Sequence, residues 1–300
     1  MYDLIIIGAG PAGITAAVYA ARKRLQFLVL TGDIGGQAAW SGDIENYTGY
    51  QFITGPDLTA KFEEHMRKYN VPVKEREEAL EVKKTGGAIK VRTAKGEYES
   101  KTVIIASGKV SKELGVPGEK EFKNKGLTYC ATCDGPLFGG KAVAVIGGGN
   151  SALDAALQLI KIARHVYMIN ITPYLGGDAI MRQKVESSEV VTVINNARVT
   201  AVVGDNMVSG IMIKREERIE PLAVQGVFVE IGLKPNSGFA KDVEKNEYDE
   251  IKVNCLNQTN VPGIFAAGDV TDVPEKQIVI AAGEGSKAAL AAFKYLNSSQ

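Results

Sequence analysis

An α/β fold with parallel sheets is predicted by this sequence, and two segments predict it. The apolar run Leu4-Ile5-Ile6-Ile7 passes directly into Gly8-Ala9-Gly10-Pro11-Ala12-Gly13. A second apolar run, from Ala142, passes into Gly147-Gly148-Gly149-Asn150-Ser151-Ala152. Short uninterrupted apolar strands belong to sheets buried on both faces. Glycine is also in excess, 33 of 300 residues, and a glycine turn between strand and helix brings backbone N–H groups close to phosphate. Two Rossmann-like βαβ units therefore start at Leu4 and Ala142. Gly-rich junctions near Gly108 and Gly238 mark where one gives way to the other.

The N-terminal segment carries no charge from Leu4 to Ala21, which is long enough to suggest a membrane span. Three features argue against a span or leader. The chain opens Met1-Tyr2-Asp3, with no basic flank; glycines and Pro11 interrupt the run; and Leu4–Ile7 reads as a buried strand feeding a turn. A helix is expected from Ile14 to about Lys23, then a strand from Leu25 to Leu30. In this context Gly8 permits the tight turn, Gly10 lets backbone approach a pyrophosphate, and Gly13 lets helix and strand pack closely. An acid usually binds ribose after the second strand; here Thr31 stands there, able to hydrogen-bond a ribose hydroxyl, followed by Gly32-Asp33-Ile34-Gly35-Gly36-Gln37. Near the C-terminus, Ile264-Phe265-Ala266-Ala267-Gly268-Asp269 reads as a strand that delivers Asp269 to the carboxyl edge of the sheet.

Between the two loops lies Cys130-Ala131-Thr132-Cys133-Asp134. This C-x-x-C has the spacing of a redox dithiol, close enough to bridge within one turn. Half a zinc site is the alternative, but the remaining ligand types, Cys255, His65 and His165, are scattered. An inert structural disulfide is the other. Cys255 reads as a packed small hydrophobe, His65 as a helix-surface or packing residue, and Trp40 as a packing aromatic or a neighbour of the cofactor. Lys+Arg and Asp+Glu both total 35, with 45% hydrophobic and 23% charged residues. That balance leaves no electrostatic footprint for nucleic acid or an anionic membrane. A cytoplasmic location is expected, where C-x-x-C pairs are catalytic or metal-binding more often than structural.

With these residues in view, the chain resembles the low-molecular-weight thioredoxin reductases of the FAD-dependent pyridine-nucleotide disulfide oxidoreductase superfamily, over essentially its whole length. The resemblance is carried by Gly8–Gly13, Gly35-Gly36-Gln37, Glu45-Asn46-Tyr47, Ala106-Ser107-Gly108, Cys130–Asp134, Gly147–Ala152, Gly268-Asp269, Lys276-Gln277-Ile278 and Ala281–Gly285. It implies a discontinuous FAD domain, residues 1–110 and 238–300, with an inserted NAD(P)H-like domain, 111–237, carrying the cysteines. It implies FAD at Gly8, Gly10, Pro11, Ala12, Gly13, Thr31, Gly32, Gly35, Gly36, Gln37, Asn46, Ser107, Gly108, Gly268, Asp269, Lys276, Gln277 and Ile278. A nicotinamide nucleotide would lie at Gly147, Gly149, Asn150, Ser151 and Ala152. Cys130 would attack the disulfide of thioredoxin or a thioredoxin-like protein, Cys133 would be the flavin-side sulfur, and Asp134 would shuttle the proton. A homodimer is also implied.

One stretch departs from the family. NADPH-using relatives place His-Arg-Arg after the strand that follows the second loop, with another Arg about four residues on. Here the strand His165–Ile169 runs into Asn170, Ile171 and Thr172, with Gly176 in the last position; Arg182 and Lys184 come too late. A charge-assisted bond to phosphate contributes roughly 1.5–3 kcal/mol, so losing two costs roughly 3–6 kcal/mol, on the order of 10²–10⁴ in affinity. NADPH is therefore disfavoured as donor. Reduced ferredoxin or another non-nicotinamide donor is expected first. NADH remains open because Asn170 can bond a ribose hydroxyl, and a dithiol oxidase passing electrons to oxygen is the further alternative.

Overall fold

The computed structural model describes every residue except Gly42, Ser299 and Gln300, and the side chains of Asp43 and Cys133 also lie outside the description. The chain divides into two units, Met1–Val110 with Lys234–Gln300, and Ser111–Leu233.

In the first unit the strand Tyr2–Ala9 lies at the centre of a seven-stranded sheet. It pairs in parallel with Phe27–Ile34 on one side and Glu97–Ile105 on the other. The C-terminal half of Glu97–Ile105 also pairs in parallel with Ile264–Ala266, while its N-terminal half begins an antiparallel meander with Ala88–Thr93 and Ala79–Thr85. Leu4, Ile5 and Ile6 have no exposed surface, as expected of a strand covered on both faces. Burying each such side chain stabilises by about 1.5–3 kcal/mol. The uncharged run from Leu4 to Ala21 is thus split between this strand and the helix Pro11–Arg22. No helix among the described residues is long and apolar enough to cross a membrane.

The helix Pro11–Arg22 buries Ala16, Ala17 and Ala20 in the same cluster as Ala288, Ala289 and Ala292 of the C-terminal helix Ile278–Ser298. Small side chains let the two helices approach closely, and a Cβ on Gly285 would lie 2.0 Å from the Ala12 carbonyl oxygen. The helix Gly55–Arg67 starts at Thr54, whose hydroxyl oxygen accepts the Asp57 N–H at 3.2 Å, an N-cap with Pro56 in the first turn.

The second unit holds a five-stranded parallel sheet in the order Leu127–Thr128, Gly226–Val229, Ala142–Ile146, His165–Ile169, Val191–Ile194. The helix Asn150–Ile160 packs Ala152, Leu153, Ala156 and Leu159 against one face. On the other face, Ala144, Ile146, Ile169, Val227 and Val229 share a core with an antiparallel sheet of Ala197–Gly204, Val208–Arg215 and Arg218–Ala223.

Candidate active site

In the first unit the strand Tyr2–Ala9 ends at a turn that admits only glycine at two positions. Gly8 has φ +103°, and a Cβ there would lie 2.3 Å from the Ala106 carbonyl oxygen; a Cβ on Gly13 would lie 1.9 Å from the Gly8 oxygen. Gly10 differs. A Cβ there would meet nothing nearer than the Gly35 oxygen at 3.9 Å, so it faces open space beside the N-terminus of the helix Pro11–Arg22. That helix has no side-chain cap, which leaves first-turn N–H groups able to bind an anion.

The other predicted positions of this unit gather around the turn. Gly36 packs its Cα side against Gly10, and a Cβ on Gly268 would touch the Ala12 Cβ at 3.0 Å. Gln37 donates to the Lys109 carbonyl at 3.4 Å, just after Ser107 and Gly108, and Ser107 donates to the Asn236 carbonyl at 2.6 Å. Asn46 donates to the Gln277 side chain at 3.1 Å. Ile278 packs beside Ile44, Ile53 and Leu58. Gly32 lies against Glu78. Thr31 is buried, accepts the Ala9 N–H at 3.2 Å and donates its proton to the Asp33 carbonyl; its hydroxyl is committed to backbone.

Sequence reasoning missed the charge arrangement beside these loops. Glu250 bridges Lys109 at 3.2 Å and Lys276 at 3.1 Å. Burial opposes its charge, but Asn246, Lys276 and Lys109 outweigh that and hold its carboxyl below the usual range. Lys276 also donates to the Thr271 and Val273 carbonyls. Burial pushes the Asp269 carboxyl up, against the pull of Lys109 and Lys276. Glu250 belongs to no local pattern, so only the fold exposes its role.

In the second unit Cys130 is disulfide-bonded and precedes a helical turn, Ala131–Asp134. The side chain of Cys133, the expected flavin-side sulfur, lies outside the described atoms. The turn is pinned on several sides. Asp134 N–H donates to the Cys130 carbonyl at 3.2 Å. The Thr128 hydroxyl donates to Asp134 Oδ2 and its oxygen accepts the Cys130 N–H at 3.2 Å. Tyr129 donates to Glu119 at 2.7 Å, and burial together with that carboxylate pushes its phenol above the usual range.

The second glycine loop follows the strand Ala142–Ile146. Gly147 has φ +138° and is closed in by the Glu230 carbonyl oxygen, whereas Gly149 has nothing within 4 Å of a Cβ. The helix Asn150–Ile160 again lacks a side-chain cap. Ser151 is exposed and Ala152 buried in its first turn. Asn150 is occupied, its Oδ1 accepting the Asp178 N–H at 2.7 Å. Asn170, whose amide could bond a ribose hydroxyl, is engaged within its own loop. Asn170 is 3% exposed. Its Nδ2 donates to the Thr172 and Tyr174 carbonyls and to Asn195 Oδ1 at 3.2, 2.9 and 3.0 Å, and its Oδ1 accepts the Thr172 hydroxyl at 3.1 Å. The amide shapes the loop after it, and Gly176 N–H closes that loop on the Gly148 carbonyl at 2.7 Å. Arg182 donates to the Leu175 carbonyl at 3.2 Å.

Against known proteins, residues 2–285 match the family described as pyridine nucleotide-disulphide oxidoreductase. The chain belongs to this family. It is 45% identical over 302 residues to the F subunit of alkyl hydroperoxide reductase from Pseudomonas putida, covering 98% of this chain and 58% of that protein. The chain thus spans about three-fifths of the length of the curated relatives it matches. Among solved structures, a thioredoxin reductase of Lactococcus lactis matches with TM-score 0.92 and 34% identity, covering 99% of this chain and all of that one. One from T. acidophilum matches with TM-score 0.90 and 39% identity, covering 100% and 99%. Members of the pyridine nucleotide-disulphide oxidoreductase family bind FAD, and the residues present fit it. Gly10 faces open space that a Cβ would fill, the uncapped helix end beside it suits a diphosphate, and Asp269 stands at the sheet edge.

Cys255 is corrected: it is exposed and free rather than packed. It stands in a surface turn organised by Asn254, whose Oδ1 accepts the Leu256 and Gln258 N–H groups. His65 lies exposed on the helix Gly55–Arg67, and His165 bonds Thr192 at 2.8 Å. No group of three metal-ligating side chains occurs among the described residues. Trp40 ends a 3₁₀ turn, Gly36–Trp40, partly exposed.

Proposed function

We propose that this protein is a thioredoxin reductase-type flavoprotein that reduces a disulfide of thioredoxin or a thioredoxin-like protein through Cys130 and Cys133. The observation that carries this reading is the disulfide-bonded Cys130 at a turn fixed by Thr128 and Asp134, in a chain of an FAD-binding family. In the reaction the Cys130 thiolate attacks one sulfur of the substrate disulfide. A mixed disulfide forms and the substrate's other sulfur leaves as a thiolate, which takes a proton from Asp134. Cys133 then displaces the substrate from Cys130, giving the enzyme disulfide and the second substrate thiol. FAD, when bound, supplies the two-electron reduction that regenerates the dithiol. The working form is a homodimer in the cytoplasm, by likeness to the family.

The electron donor in this reading is reduced ferredoxin or another non-nicotinamide donor rather than NADPH. The stretch Asn170–Asp178 carries no Lys or Arg, and Asn170 is spent on its own loop. A second reading has NADH as donor and a hydroperoxide-reducing partner. Likeness to the F subunit of alkyl hydroperoxide reductase and the open space at Gly149 favour it.

An anaerobic titration of the FAD-loaded protein with reduced ferredoxin, NADH and NADPH in parallel separates these readings by flavin bleaching. Ferredoxin alone is expected to bleach it fast. Rapid bleaching by micromolar NADPH would overturn the donor assignment. Transfer from the reduced protein to thioredoxin is expected to fall at least ~10³-fold in Cys130→Ser. Unchanged transfer would remove Cys130 from its role, and oxygen uptake with a small dithiol but none with thioredoxin would make the protein an oxidase.

A further inference from the structure

Outside every recognised motif, Gln158 ties the redox turn to the neighbouring helix. The Thr132 hydroxyl, between the two cysteines, donates to Gln158 Oε1 at 2.8 Å, and Gln158 Nε2 donates to Asp154 Oδ2 at 2.8 Å. Asp154 and Gln158 stand one turn apart on the same face of the helix Asn150–Ile160. The Asp154 carboxylate accepts and cannot donate, so its bond orients the Gln158 amide with Nε2 inward and Oε1 toward Thr132. Beyond Thr132, the side chains of Leu159 on that helix and of Ile162 just past its end lie 3.6 Å from where a Gly135 Cβ would be, so apolar contact backs the residue that follows the turn.

A disulfide holds its own turn together, but a dithiol does not. Once the S–S bond is broken, what keeps the two cysteines facing each other is the set of hydrogen bonds on the turn. Among the bonds of the described residues, the Thr132 hydroxyl bond crosses from Ala131–Asp134 to the helix Asn150–Ile160. We propose that Gln158 is a positioning residue for the redox pair: through Thr132 it holds the reduced turn in the arrangement that closes to the disulfide. The inference rests on the reading of Cys130 and Cys133 as a redox couple. The effect is one of effective concentration, because a restrained turn loses less freedom on ring closure.

The test is the equilibrium of the pair with glutathione. Closure forms the Cys130–Cys133 bond and breaks the S–S bond of oxidised glutathione, which takes up two electrons and two protons to become two thiols. The FAD-loaded full chain is equilibrated anaerobically in buffers of graded glutathione ratio, quenched with acid, alkylated, and read by mass at the Cys130 and Cys133 peptide. Gln158→Leu is expected to lower the constant for closure about fivefold, the equivalent of one net hydrogen bond and of about 20 mV in potential. Thr132→Val is expected to give the same shift, and the double variant no more than either single one. Thr132→Ser, which keeps the hydroxyl, is expected to stay within about twofold of the wild type. A wild-type constant in Gln158→Leu, with or without a lowered Tm, overturns the inference and leaves the redox reading standing, as do additive shifts in the double variant. A wild-type pair that never equilibrates with glutathione overturns the redox reading and the inference with it.

Discussion

At the first glycine loop the second strand carries Thr31, whose hydroxyl is taken up by Ala9 and Asp33, and Gly10 is left facing open space. At the second, the corresponding strand ends against Asn170, whose two amide protons are shared among three acceptors, and Thr172–Gly176 folds back onto Gly148. Both loops have the same strand, turn and helix order. They differ in the residues at the end of the second strand, where a dinucleotide's ribose would be recognised. Glycines make a phosphate cradle sterically allowed, and the strand-end residue decides which polar groups remain for the ligand. A glycine fingerprint alone therefore says little about which nucleotide, if any, a Rossmann-like unit takes.

Substitution at the glycines gives the largest expected effect. A side chain on Gly13 would run into the Gly8 carbonyl at 1.9 Å, a backbone atom that cannot step aside, whereas Gly149 has open space. Gly13→Val is expected to cost more than about 3 kcal/mol and to yield protein without flavin. Gly149→Ala is expected to keep its full flavin and a stability within about 1 kcal/mol of wild type. The ratio of flavin to protein absorbance, with a urea melt, checks both. Full flavin in Gly13→Val would mean that the first loop is not the tight cradle described.

The strand ends come next. Replacing the buried Asn170 by Leu takes one donor from the Thr172 carbonyl, which keeps the Asn196 N–H, one from the Tyr174 carbonyl, which keeps the Thr172 hydroxyl, and one from Asn195 Oδ1, and it removes the acceptor of the Thr172 hydroxyl. The expected cost is about 3 kcal/mol, with no gain in NADPH binding. At Thr31 fewer bonds are lost, and Thr31→Val is expected to cost about 1 kcal/mol. Urea melts of the two variants give both numbers. Equal losses at the two positions would erase the distinction between the loops.

Much of this contrast is legible in the sequence, but unevenly. Leu4–Ile7 and Ala142–Ile146 announce buried parallel strands because four or five apolar residues in a row can only be covered on both faces. The first helix begins at Pro11, earlier than its apolar pattern at Ile14 suggests, because proline's fixed φ suits the first helical position. The second strand runs on to Ile34 through polar residues, because Ile34 pairs with Ala9 across an irregular register, which no hydrophobic period records. Chemistry carried by distant pairs is not legible at all. Glu250 meets Lys109 from 141 residues away, and Thr132 meets Gln158 from 26 residues away. The sequence pattern puts Asn170 at a strand end, yet its saturation depends on where Tyr174 and Asn195 fold, and that is tertiary information.

The two units also place a carboxyl group at the sheet edge in different company. Asp269 faces Lys109 and Lys276. At Glu230 the influences are of another kind: burial pushes its carboxyl from 4.5 up to about 7, the Ser151 hydroxyl opposes, and the Asp154 charge adds to the rise. Such a group binds its proton more tightly folded than unfolded. Its contribution to stability is therefore fully present below about pH 4.5 and is lost as pH rises through about 7. The whole effect is roughly 3 kcal/mol. Glu230→Gln, which cannot ionise, is expected to remove this slope and to exceed the wild type above about pH 8 by up to that amount. Urea melts of both proteins at about pH 4.5, 6 and 8 check it. Parallel pH profiles would mean that Glu230 ionises as freely in the fold as in water, and that the edge of the second sheet is as well solvated for charge as the lysine-flanked edge of the first.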